Sequence, residues 1–186
     1  MNLKKSLKEF LFKIFRKFTK ITEKTIHVEA LVRDDMWKRL QKLIGKGYVW
    51  FIITPTNYEY CKSYFNIKQD KDQFTKILTE RIKTLKENNE EIQLHIHLCN
   101  VPTFFDKKLQ DEKFEESMKF MNLLGINPTK FAPGWHQYND YTISLAKKYG
   151  IKTIYDYTIN PRKKPEIKND IIINYYWKFW HDYELI

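Results

Sequence analysis

Hydrophobic and polar residues alternate most cleanly over residues 91–99, where Ile92, Leu94, Ile96 and Leu98 interleave with Gln93, His95, His97 and Cys99. A two-residue period predicts a strand with one face apolar and both imidazoles on the other. A second strand is predicted over residues 25–32 and a third over 48–54. The latter is almost continuously apolar, as in a parallel strand covered on both faces. Further strands are expected within 128–135, over 151–157 and over 171–175. Helical three- and four-residue spacing appears between them. Trp37, Leu40, Leu43 and Ile44 mark one helix, with Asp34 or Asp35 as its cap, and Phe74, Ile77, Leu78, Ile82 and Leu85 a second. Residues 111–124 and 139–149 predict two more. The stretch from Pro55 through Lys71 reads as a polar connection, and 160–166 as a Pro- and Lys-rich loop.

Strands and helices thus alternate through the body of the chain. That order predicts an α/β domain over residues 25–186 with mainly parallel strands, either an open doubly wound sheet or an incomplete (β/α) barrel. In such folds the site lies at the carboxyl ends of the strands. All five histidines and the carboxylates Glu29, Asp34, Asp35, Asp156 and Asp182 come at or near those ends. No Gly-rich phosphate loop follows the first strand, which counts against nucleotide binding.

Ahead of this body, Leu3, Leu7, Phe10, Leu11, Ile14, Phe15, Phe18 and Ile21 predict an amphipathic helix within residues 1–24, with lysines and Arg16 mostly on its other side. It either packs on its own domain or lies on an anionic membrane surface. The chain of 186 residues has a formal net charge of +10, and residues 1–24 supply +6 of it. The excess describes an appendage rather than a nucleic-acid-binding body, so no nucleic-acid partner is expected. Two cysteines make no disulfide framework, and no apolar run is long enough to span a bilayer. The expected location is cytoplasmic, with peripheral contact at the inner membrane face as the alternative for the basic helix.

Paired imidazoles on one strand face are a common way to hold a divalent cation, and a carboxylate completes the set. Such a cation, zinc above all, lowers the pKa of a bound water and polarises a carbonyl as a Lewis acid. Glu29 and Asp34 are the candidates for general base, and Asp35 for a metal ligand beside His95 and His97; spacing does not separate the three. His181, next to Asp182, is the candidate proton donor, because an adjacent carboxylate favours the imidazolium.

Three stretches resemble the polysaccharide deacetylases, the carbohydrate esterases with a distorted, incomplete (β/α) barrel. EIQLHIH resembles that family's second motif, a Glu followed four residues later by the first metal-binding His. FAPGWHQYNDYTISLAKKYGIK resembles the third, an aromatic, Pro and Gly turn that walls the groove, followed by a helix. The carboxylates after the first strand stand where the family has paired Asp residues. The family's second His lies four residues after its first, where this chain has Cys99, with His97 between. The resemblance implies a metal-dependent hydrolase that removes an acetyl group from an N-acetylated sugar or related amide. It also implies a substrate wall built from Pro133, Gly134, Trp135 and Tyr138. The alternative is a catalytically lapsed domain of the same fold that binds a glycan or a protein partner.

Overall fold

The structure is a computed structural model and describes residues 23–98, 106–158 and 163–177. Residues 1–22, which carry the predicted N-terminal helix, lie outside them, as do Cys99, His181 and Asp182. In chain order the elements are β1 (Lys24–Val28), α1 (Asp34–Leu40), β2 (Tyr48–Ile52), α2 (Tyr58–Phe65), α3 (Lys71–Glu87), β3 (Glu91–Ile96), α4 (Lys107–Leu123), β4 (Lys130–Pro133), α5 (Asp140–Lys148), β5 (Thr153–Thr158), β6 (Glu166–Lys168) and β7 (Ile171–Trp177). Short 3₁₀ turns follow α1, precede α2 and follow β4.

The strands form one open sheet in the order β1-β2-β3-β4-β5-β7-β6. Every pairing is parallel except that of β6 with β7. An order that follows the sequence from β1 to β5, with helices between, is barrel-like. A doubly wound sheet would instead reverse direction at its first strand. The incomplete-barrel reading therefore holds, and the doubly wound alternative does not.

The two-residue period divides the sheet into unlike faces. Ile26 and Val28, Trp50 and Ile52, Ile92, Leu94 and Ile96, Phe131, Ile154 and Ile173 pack into one large core. Leu40, Cys61, Phe74, Leu78, Phe114, Met121 and Ile143 from the helices complete it. The opposite face holds a small cluster of Val49, Phe51, Ala132 and Tyr155, with no helix residue in it. His27, Gln93 and His95 alternate with the large-core positions and so belong to this inner face.

Local signals explain most boundaries. Asp70 caps α3 by accepting from Gln73 N–H at 2.8 Å, and Asp106 caps α4 through Lys108 and Leu109 N–H. Asn139 and Thr142 form a reciprocal capping box at α5. Three expectations need correction. Neither Asp34 nor Asp35 caps α1: Arg33 is the cap residue, without a side-chain capping bond, and both carboxylates sit in the first turn. The connection after β2 contains the helix α2, and the loop before β7 ends in the extra strand β6. Among the described residues, no helix is long and apolar enough to cross a membrane.

Candidate metal centre

Beyond the carboxyl end of β1, Glu29 continues the inner-face alternation of His27, and His95 and His97 do the same at the end of β3. Strand β2 lies between β1 and β3, so the side chains meet above it. Glu29 Oε1 lies 3.2 Å from His95 Nε2 and 3.0 Å from His97 Nε2, and the two nitrogens are 3.1 Å apart. All three residues are buried. Among the described residues this is the one cluster of three or more such donors that could hold a metal ion.

The surroundings fix which atoms point inward. His95 Nδ1 lies 2.8 Å from the carbonyl of Ala132 on β4. A carbonyl only accepts, so Nδ1 carries the proton and the lone pair of the neutral ring lies at Nε2. Tyr60 on α2 donates its hydroxyl to Glu29 Oε2 at 3.0 Å, which leaves Oε1 turned toward the imidazoles. Tyr60 also stacks on His97 with ring centroids 3.8 Å apart. On the other side of His97 lies Gly134, where even a methyl group would collide with the ring. The His97 carbonyl accepts from Lys113 Nζ at 3.1 Å.

The electrostatics favour lone-pair donors at Glu29 and His97. Burial raises the Glu29 carboxyl, but hydrogen bonds and charge from His95 and His97 outweigh this and hold it well below the usual carboxylate range. Burial pushes His97 down to about 4, against the pull of Glu29. Burial and the nearby Glu29 charge raise Tyr60 and Cys61 well above their ordinary ranges, so both stay protonated. One imidazole proton cannot separate all three acceptor atoms, whereas a divalent cation between them would. Donors 3.0–3.2 Å apart, each about 2.1 Å from a common centre, subtend angles of about 90–100°. That spacing and this donor set fit a first-row divalent ion.

The carboxylate in the cluster is Glu29. Asp34 is exposed and paired with Arg81, and Asp35 is exposed and paired with Arg33 at 2.7 Å. The expected roles of Asp34 as base and Asp35 as ligand are therefore not supported by where these side chains sit. Helix α1 begins at Asp34 and turns both out of the site. Gly134 and Trp135, two of the residues expected in the substrate wall, lie against His97, and Pro133 ends β4 just before them. Tyr138, the fourth of them, donates its hydroxyl to Asp156 Oδ2 at 3.1 Å.

Trp135 and His136 both have left-handed backbones, with φ of 51° and 57°. Two consecutive non-glycine residues of this kind cost about 1–3 kcal/mol each and persist only where packing overdetermines them. The indole is 44% exposed and meets Tyr60, Tyr64 and His97 edge-on. Tyr60 and Tyr64, both from α2, were not anticipated from the sequence. On the other side His136 Nδ1 faces Asp156 Oδ1 at 3.8 Å. Burial raises the Asp156 carboxyl, opposed by the Tyr157 N–H, the Tyr138 hydroxyl and Lys163.

No known family profile matches the chain, and neither does any curated protein sequence. Solved structures do match. A Mycobacterium smegmatis protein assigned to the polysaccharide deacetylases aligns with a TM-score of 0.54 at 15% identity, over 83% of this chain and 57% of that one. A family 4 carbohydrate esterase from Streptomyces lividans, in complex with acetate, gives 0.50 at 14% identity over 72% and 60%. A pseudoenzyme of the same esterase family from Bacillus anthracis gives 0.51 at 13% identity over 71% and 41%. The chain thus spans between 41% and 60% of the length of these three. At such identities the likeness is one of fold: the chain has the fold of the polysaccharide deacetylases, in a divergent form.

Proposed function

We propose that this chain is a metal-dependent hydrolase of the deacetylase type, removing an acetyl group from an N-acetylated sugar or a related amide. The observation that carries the reading is the convergence of Glu29 Oε1, His95 Nε2 and His97 Nε2 within 3.2 Å, with His95 Nδ1 spent on Ala132. Glu29, His95 and His97 would hold the cation, and zinc suits two imidazoles and a carboxylate best. When bound, such an ion polarises a carbonyl and lowers the pKa of water.

The rest falls to the chain's own side chains. Tyr60 holds the carboxylate through Oε2, and the stacked Tyr60–His97 pair keeps the imidazole plane fixed. The exposed faces of Trp135 and Tyr64 offer an apolar wall on which a sugar ring can stack. Glu29 is best placed as a ligand rather than as base, because its Oε1 is shared by both imidazoles.

A second reading, a lapsed domain that binds a glycan without cleaving it, is favoured by one observation. Asp34 and Asp35, the other carboxylates expected as base or ligand, are engaged by arginines away from the cluster. Metal analysis of the full chain, purified without chelator or nickel, together with acetate release from an N-acetylglucosamine trimer, separates the readings. Stoichiometric zinc with acetate release supports the hydrolase. Trimer binding without acetate release supports the lapsed domain, and absence of metal at saturating zinc ends the hydrolase reading.

A further inference from the structure

The described strands leave one apolar pair of the inner face in the open. Ile167 on β6 and Ile172 on β7 are register partners, 77% and 42% exposed. Ile172 alternates with Ile171 and Ile173, each 1% exposed in the large core, so the pair lies on the inner face. Elsewhere on that face Val49, Phe51, Ala132 and Tyr155 are buried together. Neighbouring isoleucines in the open on a ribbon at the sheet's edge invite association unless something covers them.

We propose that residues 1–22 supply that cover, as an amphipathic helix laid across the amino ends of β5, β7 and β6. The chain enters the fold at the right place. Glu23 is held by Lys130 Nζ and by the Tyr155 hydroxyl. Lys130 pairs with Thr153, Thr153 with Ile172, and Ile172 with Ile167, so these four form one row across the sheet. Strands about 4.8 Å apart put Ile172 about 10 Å and Ile167 about 14 Å from Lys130 along that row. A helix rises about 1.5 Å per residue, which sets Phe18 about 7.5 Å and Ile14 about 13.5 Å back from Glu23. Phe18 therefore meets Ile172, and Ile14 meets Ile167.

Helical spacing puts Leu11, Ile14 and Phe18 on one side of that segment and Lys13, Arg16 and Lys20 on the other. Docking spends the apolar side on the segment's own domain and leaves the basic side to solvent. The residues after Trp177 are worse placed for the same surface. They leave from the opposite end of β7, five residues beyond Ile172 and so about 17 Å away.

The test uses the full chain. Phe18→Cys with Ile172→Cys, and Ile14→Cys with Ile167→Cys, should each form a disulfide within one chain on mild oxidation, mapped by peptide mass spectrometry, because the bond needs Cα atoms within about 7 Å. Lys20→Cys with Ile172→Cys places the first thiol on the basic side and should cross-link at least about tenfold less. Chymotrypsin gives an independent readout, since cleavage after Phe15 and Phe18 requires the segment to lift off. Ile172→Lys should speed that cleavage by about fivefold or more, as the population of the lifted segment grows. Ile167→Lys should do the same, and it carries the test if Ile172→Lys does not fold, because its side chain is already 77% exposed. Cross-links no more frequent than with Lys20→Cys, or a smaller acceleration in every folded variant, overturn the proposal. Cross-links found only between chains overturn it in favour of a second copy as the cover. Absence of cross-links, with the full chain sedimenting on phosphatidylglycerol vesicles, overturns it in favour of a membrane surface.

Discussion

The sharpest test of the site's architecture is Gly134→Ala, which adds one carbon next to His97. Built on the Gly134 backbone, that carbon lies 2.7 Å from His97 Cδ2 and closer still to Cγ and Nδ1. Ordinary carbon contacts are about 3.5–4.0 Å, so the ring or the turn must give by roughly 1 Å. The ring has no room to retreat, because Tyr60 stacks on it at 3.8 Å and is itself tied to Glu29. Metal–ligand distances tolerate only about ±0.2 Å. Displacement of His97 should therefore weaken zinc binding by at least about 100-fold, equivalent to about 2.7 kcal/mol. Overpacking should cost the metal-free protein about 1–3 kcal/mol. Competition with a chromophoric chelator measures the first effect and urea unfolding the second. Zinc affinity within about threefold of wild type, with an unchanged urea midpoint, would refute the sandwich of His97 between Gly134 and Tyr60.

Asp34→Asn and Asp35→Asn should each leave zinc affinity within about threefold of wild type, since exposed ion pairs with arginine contribute about 1 kcal/mol or less and neither carboxylate joins the cluster; a tenfold loss by chelator competition would return them to the site. Leu94→Ala, at a fully buried position on the helix-covered face of β3, should lower stability by about 2–5 kcal/mol in urea unfolding, and a loss under 1 kcal/mol would contradict the core described. For pH, burial holds folded His97 at about 4, below the ordinary imidazole value of about 6.5, so unfolding takes up a proton between them. The stability from this group is complete above about pH 6.5 and is lost as pH falls toward 4, on the order of 3 kcal/mol. The lowered Glu29 carboxyl acts in the same direction at lower pH. Urea midpoints of the metal-free protein that stay flat from pH 7 to 4.5 would contradict the neutral buried imidazole.

Where the side-chain period was strong, the fold was legible. The alternation of β3 placed Ile92, Leu94 and Ile96 in the core and aligned His95 with His97. The apolar run of β2 announced a strand deep in the sheet. Helix α2 escaped because its buried residues are Tyr58, Tyr60 and Cys61, whose polar groups blur an apolar stripe. With it went Tyr60, the residue that orients Glu29. Strand β6 escaped because its three residues are all exposed and carry no alternation. Two adjacent Asp residues after the first strand read naturally as site carboxylates. Their diversion depends on Arg81, 47 residues away from Asp34, which no local pattern reveals. The left-handed turn at Trp135 and His136 is equally invisible locally, since neither residue prefers it.

The strand order also sets a timetable for a chain emerging from the ribosome. Strands β1 to β4 each pair with the next one made, so the sheet can widen at one edge as synthesis proceeds. Glu29, His95 and His97 are all present once residue 97 is out, and a cation can meet them then. The carbonyl of Ala132, which selects the His95 tautomer, and Gly134, which backs His97, arrive only with β4. Between those two moments the nascent site has its donors but not its rigidity. On the proposed metal-bound reading, ions would exchange freely in that interval, and the choice of metal would become hard to reverse only when β4 docks.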